Sequence, residues 1–107
     1  MIIKEWTKEE IEKLDRHSFL DAMITGYYDL PLSRHNAYRF VMPVWVYCLA
    51  KVSHDSNNLP AVFMVRGGQG ELLGYPIVID NSVHGLMFEE YFNLAEHYKS
   101  GSTSDHG

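Results

Sequence analysis

Cys48 is the single cysteine of the chain, and six histidines (His17, His35, His54, His84, His97 and His106) each stand in a different segment. A thiol beside an imidazole is the usual start of nucleophilic catalysis, but a reactive thiolate needs a helix N-terminus or an electropositive, partly exposed setting. Cys48 instead falls mid-helix on a stripe with Trp45, Leu49 and Val52, the place of a small buried apolar side chain. A hydrolase built on Cys48 and a histidine therefore ranks below readings that need no nucleophile. The histidines show no HxH or HExxH spacing, so no local pair seeds a zinc site. Glu89, Glu90, Asn93 and His97 could share part of a helical face and hold a cation weakly, although a solvated polar face explains them without any function. Nothing in the spacing brings Asp80 to Glu89 or Glu90 as an acid–base pair. Gly67-Gly68-Gln69-Gly70 has the glycine content of a phosphate-cradling loop, but lacks the Lys and Ser or Thr of a P-loop and the spacing of a dinucleotide fingerprint. It reads as a flexible turn between two strands. The expectation is no catalytic residue, no metal and no cofactor.

The elements that would position these groups follow from periodicity and punctuation. Thr7 with Glu10 three residues on is a capping box, and Ile11, Leu14, Leu20, Met23 and Ile24 continue a helix ended by Gly26. Asp29, Pro31, Ser33 and Asn36 mark a loop. Tyr38 to Met42 reads as a strand, and Pro43 opens a short helix ending near Ser53, with Trp45, Cys48, Leu49 and Val52 as its apolar stripe. Asp55 to Asn58 is a turn. Ala61 to Val65 and Leu72 to Asp80 are further strands, the latter placed at an edge or a bulge by Gly74 and Pro76. Phe88, Tyr91, Phe92 and Ala95 fit a helical stripe, while Leu86-Met87-Phe88 fits a strand equally well. The fold class expected is α+β, a small sheet of about three to four strands with two to three helices packed on it, in one domain over residues 1–99, followed by a mobile tail over 100–107.

Composition agrees with one globular domain: 107 residues, 46% hydrophobic and 21% charged, with fourteen aromatics to fill a core. The net charge of −5 argues against electrostatic, sequence-independent nucleic-acid binding. The apolar run Phe40 to Ala50 contains Pro43 and falls far short of the roughly 20 residues that span a bilayer. A lone cysteine requires no oxidising compartment, so a cytosolic setting is the default.

One combination is more specific than these fragments. Tyr38-Arg39-Phe40-Val41-Met42, a Trp-bearing helix, Lys51, the turn Asp55-Ser56-Asn57-Asn58, a Gly-Gly loop and Leu72-Leu73-Gly74-Tyr75-Pro76-Ile77-Val78-Ile79 stand in that order. This order resembles the axial domain of tailed-phage major capsid proteins, a fold shared with encapsulin shells. Leu14 to Tyr28 matches the helix preceding the family's FVM strand, and Leu86 to Tyr91 is similar to a later strand, with Glu89 and Glu90 at its usual glycine and aspartate. The sequence departs from the pattern at Pro43, directly after the FVM strand, and at Asn58-Leu59, where a turn glycine is common. A full subunit's extended arm, spine helix and projecting loop have no room here.

The resemblance implies a wedge-shaped structural domain without catalysis or cofactor, a location in a virion or host cytoplasm, and partners that are other capsid subunits or further copies of the chain. It implies that Gly67, Gly68, Gln69 and Gly70 lie near subunit contacts at the narrow end. The alternative is a small acidic phage-encoded protein that inhibits a host enzyme or defence complex through its charge. Charge distribution discriminates the two. Asp15, Asp21, Asp29, Glu89 and Glu90 clustered on one exposed face would favour an inhibitor, whereas dispersed charge and an apolar flank would favour assembly.

Overall fold

The computed structural model describes residues 1–93. Ile2–Trp6 forms β1, a strand that composition did not announce, pinned to its first residue by Met1 O accepting from Glu90 N at 2.8 Å. The Thr7–Glu10 capping box forms, with both reciprocal bonds at 3.1 Å, and starts α1 (Lys8–Glu12). The single helix expected up to Gly26 is divided, because Asp15 Oδ1 accepts from the backbone N–H groups of His17 and Ser18 and turns the chain before α2 (Phe19–Tyr27). A short polar side chain that bonds the backbone just after it competes with helix propagation. Gly26 is the penultimate residue of α2, one position before the helix ends, and leaves room there for the indole of Trp6.

β2 (Asn36–Met42) and α3 (Val44–Val52) form where the sequence places them, with Pro43 at the N-cap. The Asp55 turn forms through Asp55 Oδ1, which accepts from Asn57 N and Leu59 N. Asn58 has φ +63°, a left-handed conformation that asparagine tolerates in such a turn. The strand expected over Ala61 to Val65 contracts to β3 (Val62–Phe63). The strand expected over Leu72 to Asp80 becomes a hairpin of β4 (Glu71–Leu72) and β5 (Tyr75–Ile79), whose two-residue turn, Leu73-Gly74, has positive φ at both positions. That turn twists with its strands and needs glycine or a tolerated strain. Pro76 precedes the pairing of β5 with β2, which starts at Ile77, so its missing N–H breaks no bond of that ladder. β5 is interior, not an edge.

The ambiguous last segment is β6 (Leu86–Asn93), a strand between β1 and β2. Phe88, Tyr91 and Phe92 are thus strand residues, and Ala95, His97 and the tail over 100–107 lie outside the described residues. Among the described residues the sheet has six strands in the order β1-β6-β2-β5-β4-β3, more than the three or four expected, beside three helices. The excess comes from β1, from β6 and from the splitting of the Leu72–Asp80 segment. Among the described strands only β2 and β5 pair in parallel, and α3 lies in the crossover between them.

One apolar cluster joins Ile11, Phe19, Met23, Val46 and Ala50 of the helices to Tyr38, Phe40, Met42, Ile77, Leu86 and Phe88 of the sheet. Its centre is aromatic, with the Phe40 and Phe88 rings 4.8 Å apart and Tyr38 stacked on Phe88 at 5.5 Å. Val41 is buried but stands outside this cluster, on the opposite face of β2. The helices therefore cover one face of the sheet, a two-layer α+β arrangement.

Candidate functional site

α3 decides the site, because its apolar residues are arranged differently from the expected stripe. Val46 and Ala50 are fully buried, and Ser53, also buried, donates through Oγ to Leu49 O at 2.6 Å. Trp45 is 38% exposed, Val52 is 59% exposed, Cys48 is exposed, and Leu49 is half-buried. The Trp45–Cys48–Val52 stripe faces outward, so the expectation of a buried, structural Cys48 is overturned. The helix is apolar on nearly every side, and it is the Val46–Ala50 side that joins the buried cluster.

Beside this outward stripe lie β3 and the loop that follows. Phe63 and Met64 are 56% and 58% exposed, and Val65 is exposed as well. The loop is held to α3 at two points. Lys51 Nζ reaches Met64 Sδ at 3.2 Å, and the Tyr47 hydroxyl donates to Gln69 O at 2.7 Å. Lys51 also stands over the Tyr47 ring, 5.8 Å from its centre. Gly67, Gly68 and Gln69 are exposed, whereas Gly70 is buried with φ +101°, and a Cβ there would meet Val62 Cγ1 at 2.8 Å and Phe63 O at 2.9 Å. Gly70 is thus the packed hinge of the loop, and the first three residues are its accessible tip. Sequence reasoning located this loop but missed Tyr47, Lys51 and Met64, which hold it; exposed Met and Phe just before a glycine run were the available signal.

The other candidate groups are dispersed. His17 and His54 come together, with ring centres 5.1 Å apart, in a pocket of about 460 Å³ that Asp21, Asp55, Ser56 and Asn58 also line. His17 Nε2 accepts from Arg16 Nε at 3.3 Å, which sets a guanidinium against the imidazole. Among the described residues, no group of three or more His, Cys, Asp or Glu side chains could hold a metal ion. Glu89 and Glu90 follow one another in β6 and point to opposite faces, so they form no helical cation face. Glu89 pairs with Arg39 Nε at 2.7 Å, and the Arg39 guanidinium lies 4.9 Å from the centre of the Tyr91 ring. Asp80 instead closes the turn after β5, where the Ser82 hydroxyl and then the Ser82 backbone N–H hold its carboxyl below the usual carboxylate range. Asp15, Asp21 and Asp29 lie on the α1–α2 turn, the first turn of α2 and the loop beyond it. The acidic residues share no face with Glu89.

A second groove, of about 640 Å³, lies between Glu5 to Glu9 and Ser82 to Met87. Gly85 forms its floor, so close that a Cβ would collide with Trp6 O. Among the described residues, no helix is long and apolar enough to cross a membrane. No protein-family model, curated protein or solved structure matches this chain.

Proposed function

We propose that this chain is a structural or assembly protein of the phage capsid axial-domain type, working through protein–protein contacts. The observation that carries the reading is the apolar flank of Phe63, Met64 and Val65 leading into the exposed tip Gly67-Gly68-Gln69. Exposed Phe and Met side by side on a domain this small mark a contact surface more often than a solvated one. The flank lies at the β3 edge of the sheet, so a neighbouring subunit can reach it without disturbing the helices. The dispersal of the acidic residues supports assembly over the charge-driven inhibitor, which would need them on one face.

Sedimentation and electron microscopy of the purified chain, alone and mixed with a tailed-phage major capsid protein, test the proposal. The expected result is association that Met64→Asp weakens by about tenfold or more. A chain that stays monomeric and never joins capsid subunits would sink the proposal.

A further inference from the structure

Two turns far apart in the sequence meet at a pair of imidazoles. The turn between α1 and α2 carries Asp15, Arg16 and His17, and residues 53–61 form a tight loop between α3 and β3. That loop is closed on itself, with Ala61 N–H donating to Ser53 O and Asp55 N–H to Leu59 O, each at 2.9 Å. Among the described residues, one backbone hydrogen bond joins it to the other turn, from His54 N–H to Arg16 O at 3.3 Å. This bond is longer than the usual 2.9–3.0 Å or so. The His17 and His54 rings, 5.1 Å apart between centres, complete the seam.

His54 decides what a proton does there. The residue is half-buried, and its Nδ1 is shielded from solvent and has no hydrogen-bond partner. A neutral imidazole meets that constraint by keeping its proton on Nε2 and leaving Nδ1 bare. An imidazolium cannot, because both nitrogens then carry a proton, and a buried N–H with no acceptor loses its hydration without replacement. The charged neighbours are mixed. His17 Nε2 accepts from Arg16 Nε at 3.3 Å, so a proton on that nitrogen breaks the bond and sets a second cation against the guanidinium. Asp15 on the same turn, Asp21 of α2 and Asp55 beside His54 supply the opposing charge. Asp15 and Asp55 each commit Oδ1 to backbone N–H groups of their own turns, and Arg16, His17 and Asp21 are exposed. Water and salt screen the exposed charges, which leaves the buried nitrogen to carry the effect.

From this geometry we infer that His54 is a proton-operated latch. The neutral ring holds the 53–61 loop against the α1–α2 turn, and protonation releases it, which gives Nδ1 access to water and opens the pocket of about 460 Å³ between the two turns. Release is local, because the apolar cluster includes Ala61 but none of the residues lining that pocket. Histidine is the side chain that ordinarily titrates between about pH 5 and 8, so the latch works above the range of the carboxylates.

NMR of the full chain between pH 8 and pH 5 tests the latch. At pH 8 the His54 imidazole should carry its proton on Nε2. As the pH falls, the amides of residues 16–18 and 54–58 should shift with the midpoint of the His54 ring. The His54 amide should lose about tenfold or more of its protection from exchange, after correction for the intrinsic pH dependence, while amides of β2 keep theirs. His54→Phe should abolish the transition. Asp21→Asn should move the midpoint to lower pH and Arg16→Gln to higher pH. A proton on Nδ1 at pH 8, imidazoles that titrate while the seam amides stay fixed, the same transition in His54→Phe, or loss of protection throughout β2 at the same midpoint would each overturn the latch. Should His54→Phe not fold, Asp21→Asn and Arg16→Gln, which change exposed positions, decide the matter, and midpoints that do not move in opposite directions would overturn it.

Discussion

The indole of Trp6 in β1 lies so close to Gly26 in α2 that a Cβ on Gly26 would stand 2.7 Å from the ring. This contact ties an edge strand to a helix and explains the glycine in the last turn of α2. Gly→Ala in an exposed helix gains about 1 kcal/mol from propensity. Here overpacking costs about 1–3 kcal/mol. Gly26→Ala should therefore lower the urea midpoint with an unchanged slope, and a raised midpoint would contradict the contact.

Gly74 has φ +83° and no atom within 4 Å of where its Cβ would be. Gly74→Ala therefore isolates backbone strain in the β4–β5 hairpin, and should cost about 1–2 kcal/mol in chemical denaturation. A neutral result would show that the turn relaxes to another type.

Tyr75 and Tyr27 bring their hydroxyls within 2.9 Å. Burial first, and then this hydrogen bond, push the Tyr75 hydroxyl from 10.0 up to about 12. Because the folded value lies above the unfolded one, this stabilisation is complete below pH 10.0 and is lost as pH rises towards about 12. Phenolate absorbance should show one tyrosine titrating late. Tyr75→Phe should abolish that late phase, and Tyr27→Phe should move it back towards the ordinary value.

At the acid end, Asp15 and Asp80 are held below 3.8 and Glu10 below 4.5, each mainly by hydrogen bonds at a turn or cap. Folded values below the unfolded ones give stability that is present above those ordinary values and lost as pH falls through the lower, folded ones. Urea midpoints measured against pH should decline in that acid window, and the decline should be shallower in Asp15→Asn and Asp80→Asn. A decline of undiminished steepness would show that other groups drive acid unfolding.

The two sides of α3 should respond differently to truncation. Val46→Ala removes buried methyls and should cost about 2 kcal/mol. Cys48→Ser lies on the exposed face and should change stability by about 0.5 kcal/mol or less. Comparable losses at both positions would mean that Cys48 is packed after all.

Local signals carried much of this fold. The capping box at Thr7, the strand before Pro43, the extent of α3 and the Asp55 turn all depend on residues within a few positions of one another, and each forms as the sequence indicates. The glycine loop was legible in the same way. β1 was not, because the five residues Ile2–Trp6 become a strand only when β6 is present to pair with them. β6 itself was undecided, since Phe88, Tyr91 and Phe92 suit a helix or a strand equally until β1 and β2 enclose them.

The candidate site turned on the same distinction. By itself the sequence pointed to a short apolar helix over residues 44–52, from the Pro43 start and the spacing of the apolar residues, although Val44-Trp45-Val46 suits a strand as well. Only the tertiary structure decided that Val46 and Ala50 face inward while Val44, Trp45, Cys48 and Val52 face out. A helix that is apolar on almost every side has no stripe to declare its buried face. The choice is made by the rest of the fold, in which Val46 and Ala50 join the common apolar cluster and the other α3 side chains do not reach its centre.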